Sequence, residues 1–468
     1  MRLTFVVMAG LGLGLASVPA AMASDPFPVP ANRTEMKQVL EDSKKSKPRL
    51  PLPAPTAEEK SQAGQGQFGI VNNGRMRRLY IPAELNGGFG GAGAAAAGRA
   101  TTPGGAGGAA GRGGMNIPRD SDPQMSLDPT FKTKFFWIVS RANNCYYCMG
   151  HQEVKLASAG LSDDRIAALD GNWSEFTPAE RAAFAFTKKL TSAPNQVDDD
   201  DIAALKRYYN ENQVLEIILS VAGFNSTNRW TGGLAIPQEE HREFLKPTSD
   251  QYRDRPSLVA PLDPSRPSGT MTCAKAADRG SLESRAQVEA ILDACRHRTP
   301  RLAPLNEEQA RAVLPADSPS GPLPQWVCLL ARFPKGGVSR TASQRAAEEK
   351  GTLSRKLKGQ IAWIAARNDR AWYALGHAQD RLQAEGLTAD QMFALDNPGD
   401  TFTPAERAVF ALTKKLTVDP ALMTDDDIEA VRKHFSDSQT AEVVHQITVC
   451  AFFNRLTEAA GLRLEAKP

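Results

Sequence analysis

The spacing of apolar residues indicates helices along most of the chain, and several helix starts are marked. The sequence Thr-Pro-Ala-Glu from Thr177 is a capping box with proline at the first helical position, and apolar residues follow at helical spacing. The acidic run from Asp198 to Asp201 comes directly before another apolar segment, as is typical of a helix N-terminus. Residues 215–224 predict a buried helix. The pattern therefore predicts an all-α fold.

This helical pattern occurs twice. With a shift of 226 residues, Trp137–Thr231 aligns with Trp363–Thr457 without a gap, and 38 of the 95 aligned positions are identical. Solenoid repeats span only ~20–50 residues, so this period indicates a tandem duplication of a domain-sized unit. Pro-Arg-Leu segments at 48–50 and 300–302 indicate that the duplicated unit begins upstream of the clear match.

The first residues predict a signal peptide. A short positive start precedes an apolar stretch from Leu3 to Ala20, and Ala-Met-Ala at 21–23 fits the small-x-small cleavage rule. An uncleaved membrane anchor is the alternative, but four glycines and a proline in the stretch disfavour it. No later segment approaches the ~18–20 apolar residues of a membrane span. We therefore expect an exported, periplasmic or secreted, protein whose mature chain starts at Ser24.

Composition and repeats together divide the chain into segments. Gly87 to Gly114 is of low complexity, with Gly or Ala at 22 of 28 positions, and cannot bury enough apolar surface to offset its ordering entropy. The segments that we predict are a signal peptide (1–23), a Pro/Gly/Ala-rich extension (24–125), repeat 1 (126–245), a linker with some helix (246–345) and repeat 2 (346–468).

Charge and cysteine content exclude some classes of protein. The 468 residues carry 56 basic and 53 acidic side chains, a net charge of +3, which excludes a strongly basic nucleic-acid binder. Six cysteines are too few to staple a chain of this size. Cys273 and Cys295 can form a bridge, whereas Cys328 and Cys450 lie in apolar contexts that are typical of core residues. The sequence leaves their pairing open.

The strongest chemical signal lies between Arg141 and His151. Asn143 or Asn144 can cap a helix, with Cys145 in its first turn and Cys148 one turn further on. Unpaired backbone N–H groups at such a start favour a thiolate, and His151 follows on the same helical face as Cys148. The motif offers a nucleophile, a resolving thiol and a group that moves protons.

Other interpretations of the two cysteines fit less well. A structural zinc site needs four ligands, and only His151 is close in sequence. A c-type haem needs histidine directly after the second cysteine, where Met149 stands, and a thioredoxin-like motif needs a strand before it. A static disulfide in an oxidising compartment is the remaining alternative to a redox-active pair.

The motif resembles the alkylhydroperoxidase D-like/carboxymuconolactone decarboxylase family, whose hallmark is Cys-x-x-Cys followed by His on a helix. The capped helix after Phe176 and the stretches Phe224–Arg229 and Phe452–Arg455 match as well. The resemblance covers both repeats and implies a helical fold that assembles into oligomers, with the repeats packed as a pseudo-dimer. It implies peroxide reduction without a metal or organic cofactor, recycled by an external dithiol.

The resemblance also implies roles for the site residues. Cys148 corresponds to the peroxidatic thiol, Cys145 to its disulfide partner, and His151 to part of the proton relay. Two features depart from the family pattern. The acid expected about a dozen residues before the first cysteine is absent, and Gln152 stands where the family histidine commonly sits.

The second repeat lacks the cysteines. Ala371 and Ala374 align with Cys145 and Cys148, so thiol chemistry is impossible there, while His377 is retained and favours a structural role for this histidine. Three alternatives to the peroxidase interpretation stay open. They are a non-catalytic scaffold with a static disulfide, lactone chemistry of the decarboxylase type, and binding of a small aromatic or lactone ligand between helices.

Overall fold

The computed structural model describes most of both repeats. The described residues are 28–30, 32–62, 71–85, 122–240, 242–245, 280–316, 318 and 320–466. The predicted signal peptide, the Gly/Ala-rich stretch and Cys273 lie outside them.

The described residues form helices and no strand, so the prediction of an all-α fold is confirmed. The first half contains α1 (Arg33–Asp42), α2 (Ala57–Gln62), α3 (Asn72–Tyr80), α4 (Pro129–Ala142), α5 (Tyr146–Ser158), α6 (Asp163–Ala167), α7 (Pro178–Ser192), α8 (Asp199–Lys206) and α9 (Glu211–Gly233). The second half contains α10 (Arg285–His297), α11 (Glu307–Arg311), α12 (Gln325–Leu330), α13 (Gly336–Glu349), α14 (Arg355–Asp369), α15 (Trp372–Ala384), α16 (Ala389–Phe393), α17 (Pro404–Val418), α18 (Asp425–Arg432) and α19 (Asp437–Ala459). Short 3₁₀ turns occupy Ser43–Lys45, Ala83–Leu85, Ala168–Asp170, Pro194–Gln196, Ala394–Asp396 and Pro420–Leu422.

The predicted helix starts are present. The Thr177 hydroxyl accepts from the Glu180 backbone N–H at 3.2 Å, and the Glu180 carboxylate accepts from the Thr177 N–H at 3.0 Å. Asp198 caps α8 in the same reciprocal way through Asp201. These caps satisfy backbone donors that the first helical turn leaves without partners, and so fix where each helix begins.

The two repeats pack against each other through α9 and α19. Arg229 on α9 donates to the Thr417 carbonyl at 3.0 Å, and Arg455 on α19 donates to the Thr191 carbonyl at 3.0 Å. Because both residues of each pair are related by the same shift of 226, the contacts are reciprocal. The repeats therefore form a pseudo-dimer with approximate two-fold symmetry.

The symmetry extends upstream of the aligned sequence. Arg49 donates to Asp425 at 2.9 Å and to the Gly232 carbonyl at 3.0 Å. Arg301 donates to Asp199 and to the Glu458 carbonyl, both at 2.6 Å. Each arginine thus ties its own segment to both repeats, and the Pro-Arg-Leu segments are equivalent parts of the two halves.

Buried ion pairs recur at equivalent positions inside the repeats. Lys132 on α4 pairs with Glu216 on α9, and Lys358 on α14 pairs with Glu442 on α19. The apolar core surrounding them is continuous across both halves. Among the described residues, no helix combines the length and apolarity that crossing a bilayer requires.

Candidate functional site

The two cysteines of the motif lie at the start of α5, after a tight turn from α4. Asn144 in this turn has φ 49°, in the left-handed region that asparagine tolerates. Cys145 itself is the N-cap of α5, and Asn143 ends α4, so the prediction that an asparagine caps α5 is wrong. Cys148 is the third helical residue, and α5 therefore directs its free N–H groups toward the thiols as expected.

Both sulfur atoms lie next to one hydroxyl group. Thr231 Oγ1 is 3.1 Å from Cys145 Sγ and 3.0 Å from Cys148 Sγ, and the two cysteines are not joined by a disulfide. The hydroxyl also lies 3.0 Å from the Thr227 carbonyl. Because a hydroxyl has one hydrogen to donate, it cannot serve both sulfurs and the carbonyl, so at least one thiol must donate its own hydrogen.

The neighbouring groups separate the two thiols electrostatically. Burial raises the pKa of Cys148 well above its ordinary value. Burial acts on Cys145 in the same direction, but hydrogen bonds from Cys148, Thr231 and the backbone N–H groups outweigh it and lower the pKa of Cys145. The first proton therefore leaves Cys145, and Cys148 donates to the resulting thiolate. This order is opposite to the one that the family resemblance implies.

His151 contacts a tyrosine and a glutamate. Its Nδ1 lies 2.8 Å from the Tyr147 carbonyl, and its Nε2 lies 3.4 Å from Glu239 Oε2. Because a carbonyl only accepts, Nδ1 carries the ring proton, a tautomer assigned from this contact. Tyr147 donates its hydroxyl to Glu239 Oε1 at 2.7 Å, completing a Tyr147–Glu239–His151 triad. Within the described residues, neither ring nitrogen of His151 hydrogen-bonds to a cysteine.

Burial determines the charge state of this triad. It lowers the pKa of His151 to about 4 despite the nearby Glu239 carboxylate, so the imidazole is neutral at pH 7. Burial opposes ionisation of Glu239, but His151 and Arg242 outweigh it and lower the pKa of this carboxyl. Arg242 donates to Glu239 Oε2 at 2.7 Å. The triad at neutral pH is thus a carboxylate held between a phenol, a guanidinium and an imidazole.

The second repeat contains the same triad without thiols. Tyr373 donates to Glu465 Oε1 at 2.7 Å, and His377 Nε2 lies 2.9 Å from Glu465 Oε2. Glu239 and Glu465 are again 226 residues apart. The triad therefore forms whether cysteines or alanines begin the helix.

Three residues of this site carry no signal in the motif itself. Thr231, Asn228 and Glu239 come from α9 and the segment after it, more than 75 positions from Cys148. Asn228 hydrogen-bonds to Cys148 and accepts from Asn143 at 3.1 Å. Extending the repeat alignment beyond Thr231 would have identified Glu239, because Glu465 follows at the same offset. It supplies the carboxylate that the sequence lacks upstream of Cys145.

The site is covered, which corrects the expectation of an exposed helix start. Cys145 and Cys148 are only 1% and 3% exposed. Gln238 donates to the Tyr146 and Tyr147 carbonyls at 2.7 and 2.8 Å. A Cβ at Gly150 would lie 2.2 Å from the Gln238 amide nitrogen, so glycine is needed for this close approach. The segment after α9 therefore packs directly over the first turns of α5.

The remaining described cysteines are isolated thiols. Cys295, Cys328 and Cys450 are buried and unbonded, as predicted for the last two from their apolar contexts. Burial raises the pKa of Cys450 to about 12. Such thiols are inert at neutral pH, in contrast to Cys145.

Comparisons with known proteins give partial matches only. No family model matches the chain. The chain is 28% identical over 123 residues to the uncharacterized protein YdfG of Bacillus subtilis (strain 168), an alignment that covers 25% of this chain and 83% of that protein. Two structures of the debrominase Bmp8, one of the apo protein and one of a variant with 2,3,4-tribromopyrrole, are 18% identical with a TM-score of 0.29. Each covers 40% of this chain and 91% of the debrominase.

Proposed function

We propose that the protein is an exported, peroxidase-like thiol oxidoreductase that reduces hydroperoxides through Cys145 and Cys148. The observation that carries this proposal is the pairing of both sulfurs with the Thr231 hydroxyl at a helix start, with a lowered pKa on one of them. A static disulfide needs no such difference between its two thiols. A coupled pair that shares a proton suits nucleophilic attack followed by resolution.

The proposed reaction uses each thiol once. The Cys145 thiolate attacks one oxygen of the hydroperoxide, the O–O bond breaks, and the departing alkoxide takes a proton to become an alcohol. The resulting sulfenic acid on Cys145 is attacked by the Cys148 sulfur, and water leaves as the disulfide forms. An external dithiol then reduces the disulfide by exchange, becoming a disulfide itself.

Burial limits the substrates that this site can admit. Both sulfurs lie beneath the segment that contains Gln238 and Phe244, so a bulky hydroperoxide needs this segment to move. Hydrogen peroxide and short alkyl hydroperoxides are the proposed substrates. In this proposal His151 relays protons through Glu239 and does not touch the sulfur atoms.

A non-catalytic function is the second candidate, and one observation favours it. The Tyr373–Glu465–His377 triad forms in the absence of thiols, so the triad is compatible with a purely structural role. In that case the protein is a scaffold or ligand-binding protein of this fold, and Cys145 and Cys148 form a fixed disulfide.

Trapping the sulfenic acid distinguishes the two candidates. Reduced protein is mixed with a stoichiometric alkyl hydroperoxide and a dimedone-type probe, and the labelled residue is identified by mass spectrometry. We expect label on Cys145 in Cys148→Ser and none in Cys145→Ser, with Cys450→Ser as the matched control. A pair that stays unlabelled, or whose reduction potential lies below about −300 mV, would support the fixed disulfide instead.

The proposed location and partners have their own tests. Export predicts a mature N-terminus at Ser24, which N-terminal sequencing of protein from the extracytoplasmic fraction checks. An uncleaved chain starting at Met1 would contradict export. The family resemblance also predicts a homo-oligomer, which light scattering of the purified protein tests.

A further inference from the structure

The two repeats differ in a surface region distant in sequence from the cysteines. In repeat 1, Trp173 donates its indole N–H to the Leu169 carbonyl at 3.0 Å and packs on Phe184. Lys188 lies with its ammonium 5.7 Å from the Trp173 ring, and burial lowers the pKa of this lysine. Only about 10 Å³ remains open between Trp173, Lys188 and Asp170. Trp173 therefore closes this site.

The equivalent region of repeat 2 is open. Gly399 aligns with Trp173, and a Cβ placed on it would meet no atom within 4 Å. Lys414 and Asp396, which align with Lys188 and Asp170, line a cleft of about 620 Å³. This volume lies within the range of about 300–1,000 Å³ that is typical of small-molecule sites.

Replacements around the cleft add polar groups. Asn368 stands where repeat 1 has Ala142, and Asn397 stands where it has Gly171; both amides line the cleft. Phe393, in place of an alanine, adds an aromatic ring to its wall. The cleft therefore combines a ring surface with amide groups that can orient a polar ligand.

The charge balance of the cleft is positive. Arg367 pairs with Asp396 at 2.7 Å and with Glu283 at 3.2 Å, and Arg370 pairs with Glu283 at 2.5 Å. Both carboxylates of the cleft are thus neutralised by arginines. Lys414 is exposed and makes no ion pair with any residue that the structure describes. Its charge is therefore available to an anion that enters the cleft.

We propose that this cleft in repeat 2 binds a small aromatic carboxylate. The carboxylate lies against the Lys414 ammonium and the Asn397 amide, and the ring packs on Phe393 and the apolar side chain of Val418. The inference is independent of the thiol chemistry, because no residue of the cleft belongs to the Cys145–Cys148 site. Repeat 2 would then be a binding domain that has lost one site and gained another.

Benzoate is the probe that tests this proposal, titrated into the purified full-length chain by calorimetry. We expect saturable binding in the millimolar range, as befits nine heavy atoms, and weaker binding of uncharged benzamide. Lys414→Gln should weaken benzoate binding about tenfold. The matched variant Lys188→Gln in repeat 1 should change it less than about twofold, because that lysine lies under Trp173.

Restoring the repeat 1 residue gives the second arm of the test. Gly399→Trp should abolish benzoate binding while the melting temperature stays close to that of the parent protein, since the position is open. Absence of saturable benzoate binding would overturn the proposal. So would binding that Gly399→Trp and Lys414→Gln both leave unchanged.

Discussion

Helices α5 and α15 begin in the same way. The residue two positions before each has left-handed backbone, Asn144 with φ 49° and Arg370 with φ 51°. Each helix then carries a tyrosine and a histidine that meet a glutamate from the segment after the long helix α9 or α19. The backbone turn and the triad are therefore properties of the fold. What distinguishes the repeats is the pair of thiols and their immediate neighbours.

The packing next to these helix starts also differs. In repeat 1, the rings of Phe136 and Phe224 stack with centroids 4.3 Å apart. Ala362 and Cys450 occupy the aligned positions in repeat 2, where a cavity of about 10 Å³ remains beside Ala374. That volume is close to the minimum that holds one water molecule. Repeat 1 is thus densely packed around its thiols, whereas repeat 2 retains the framework with looser packing.

The largest expected effect comes from making the repeats alike. Cys145→Ala combined with Cys148→Ala should reduce the rate of hydroperoxide consumption more than 100-fold, because no other described cysteine has a lowered pKa. The fold should survive, since Ala371 and Ala374 occupy the same buried positions. Peroxide consumption and circular dichroism of the double variant check both statements.

The reverse exchange sharpens this comparison. Ala371→Cys with Ala374→Cys, made in the double-alanine background, places two thiols beside Thr457, the counterpart of Thr231. If the helix start and this hydroxyl suffice, a reactive pair should return in repeat 2. Undiminished peroxide consumption by the double-alanine variant alone would show that the site lies elsewhere.

The second effect concerns a histidine present in only one repeat. Burial lowers the pKa of His445 to about 3, whereas the repeat 1 residue at this position is Leu219. Because the unfolded chain binds a proton near pH 6.5 and the folded one does not, stability is full above that pH and falls as the pH approaches 3. This residue accounts for roughly 3 kcal/mol of lost stability at pH 4.

His445→Leu tests this assignment by copying repeat 1. We expect the urea midpoint of the variant to depend less on pH between 6.5 and 4 than that of the parent protein. His151, whose pKa is lowered to about 4, should retain its smaller contribution to the acid dependence in the variant. An unaltered acid dependence in His445→Leu would contradict the pKa assignment.

The third effect tests the order of the two thiols. Cys148 donates to Cys145 and so lowers its pKa, and Cys148→Ala should therefore raise the pKa of Cys145. Alkylation of Cys145 by iodoacetamide at pH 7 should become about tenfold slower, with its pH midpoint moved upward. Cys450→Ala is the control that leaves the profile unchanged. A lower midpoint in Cys148→Ala would return the thiolate to Cys148.

The fold was predictable because its signals are local or repeated. Capping residues such as Thr177 and Ser284 act within one turn of the helices that they start. The shift of 226 residues made each repeat a check on the other. By contrast, the wrong cap assignment at Asn144 arose because an asparagine in left-handed backbone can end one helix without starting the next.

The site was predictable only in part, because its second half comes from distant residues. The cysteines are recognisable from their spacing, but Thr231 and Glu239 reach them through the packing of α9 and the segment that follows. The same packing buries the thiols, and no periodicity at the motif reports that cover. Of these features, only Glu239 left a trace in sequence, through its counterpart Glu465.

The smallest expected effect tests whether the shared framework is energetically equivalent in the two repeats. Thr177 and Thr403 cap α7 and α17 with the same reciprocal hydrogen bonds to Glu180 and Glu406. Replacing either threonine by alanine removes one side-chain acceptor at an exposed helix start, which costs about 1 kcal/mol. Equal shifts in the urea midpoint for Thr177→Ala and Thr403→Ala would mean that both halves unfold together. A shift confined to one variant would mean that the repeats unfold separately, because a cap then reports only on its own half.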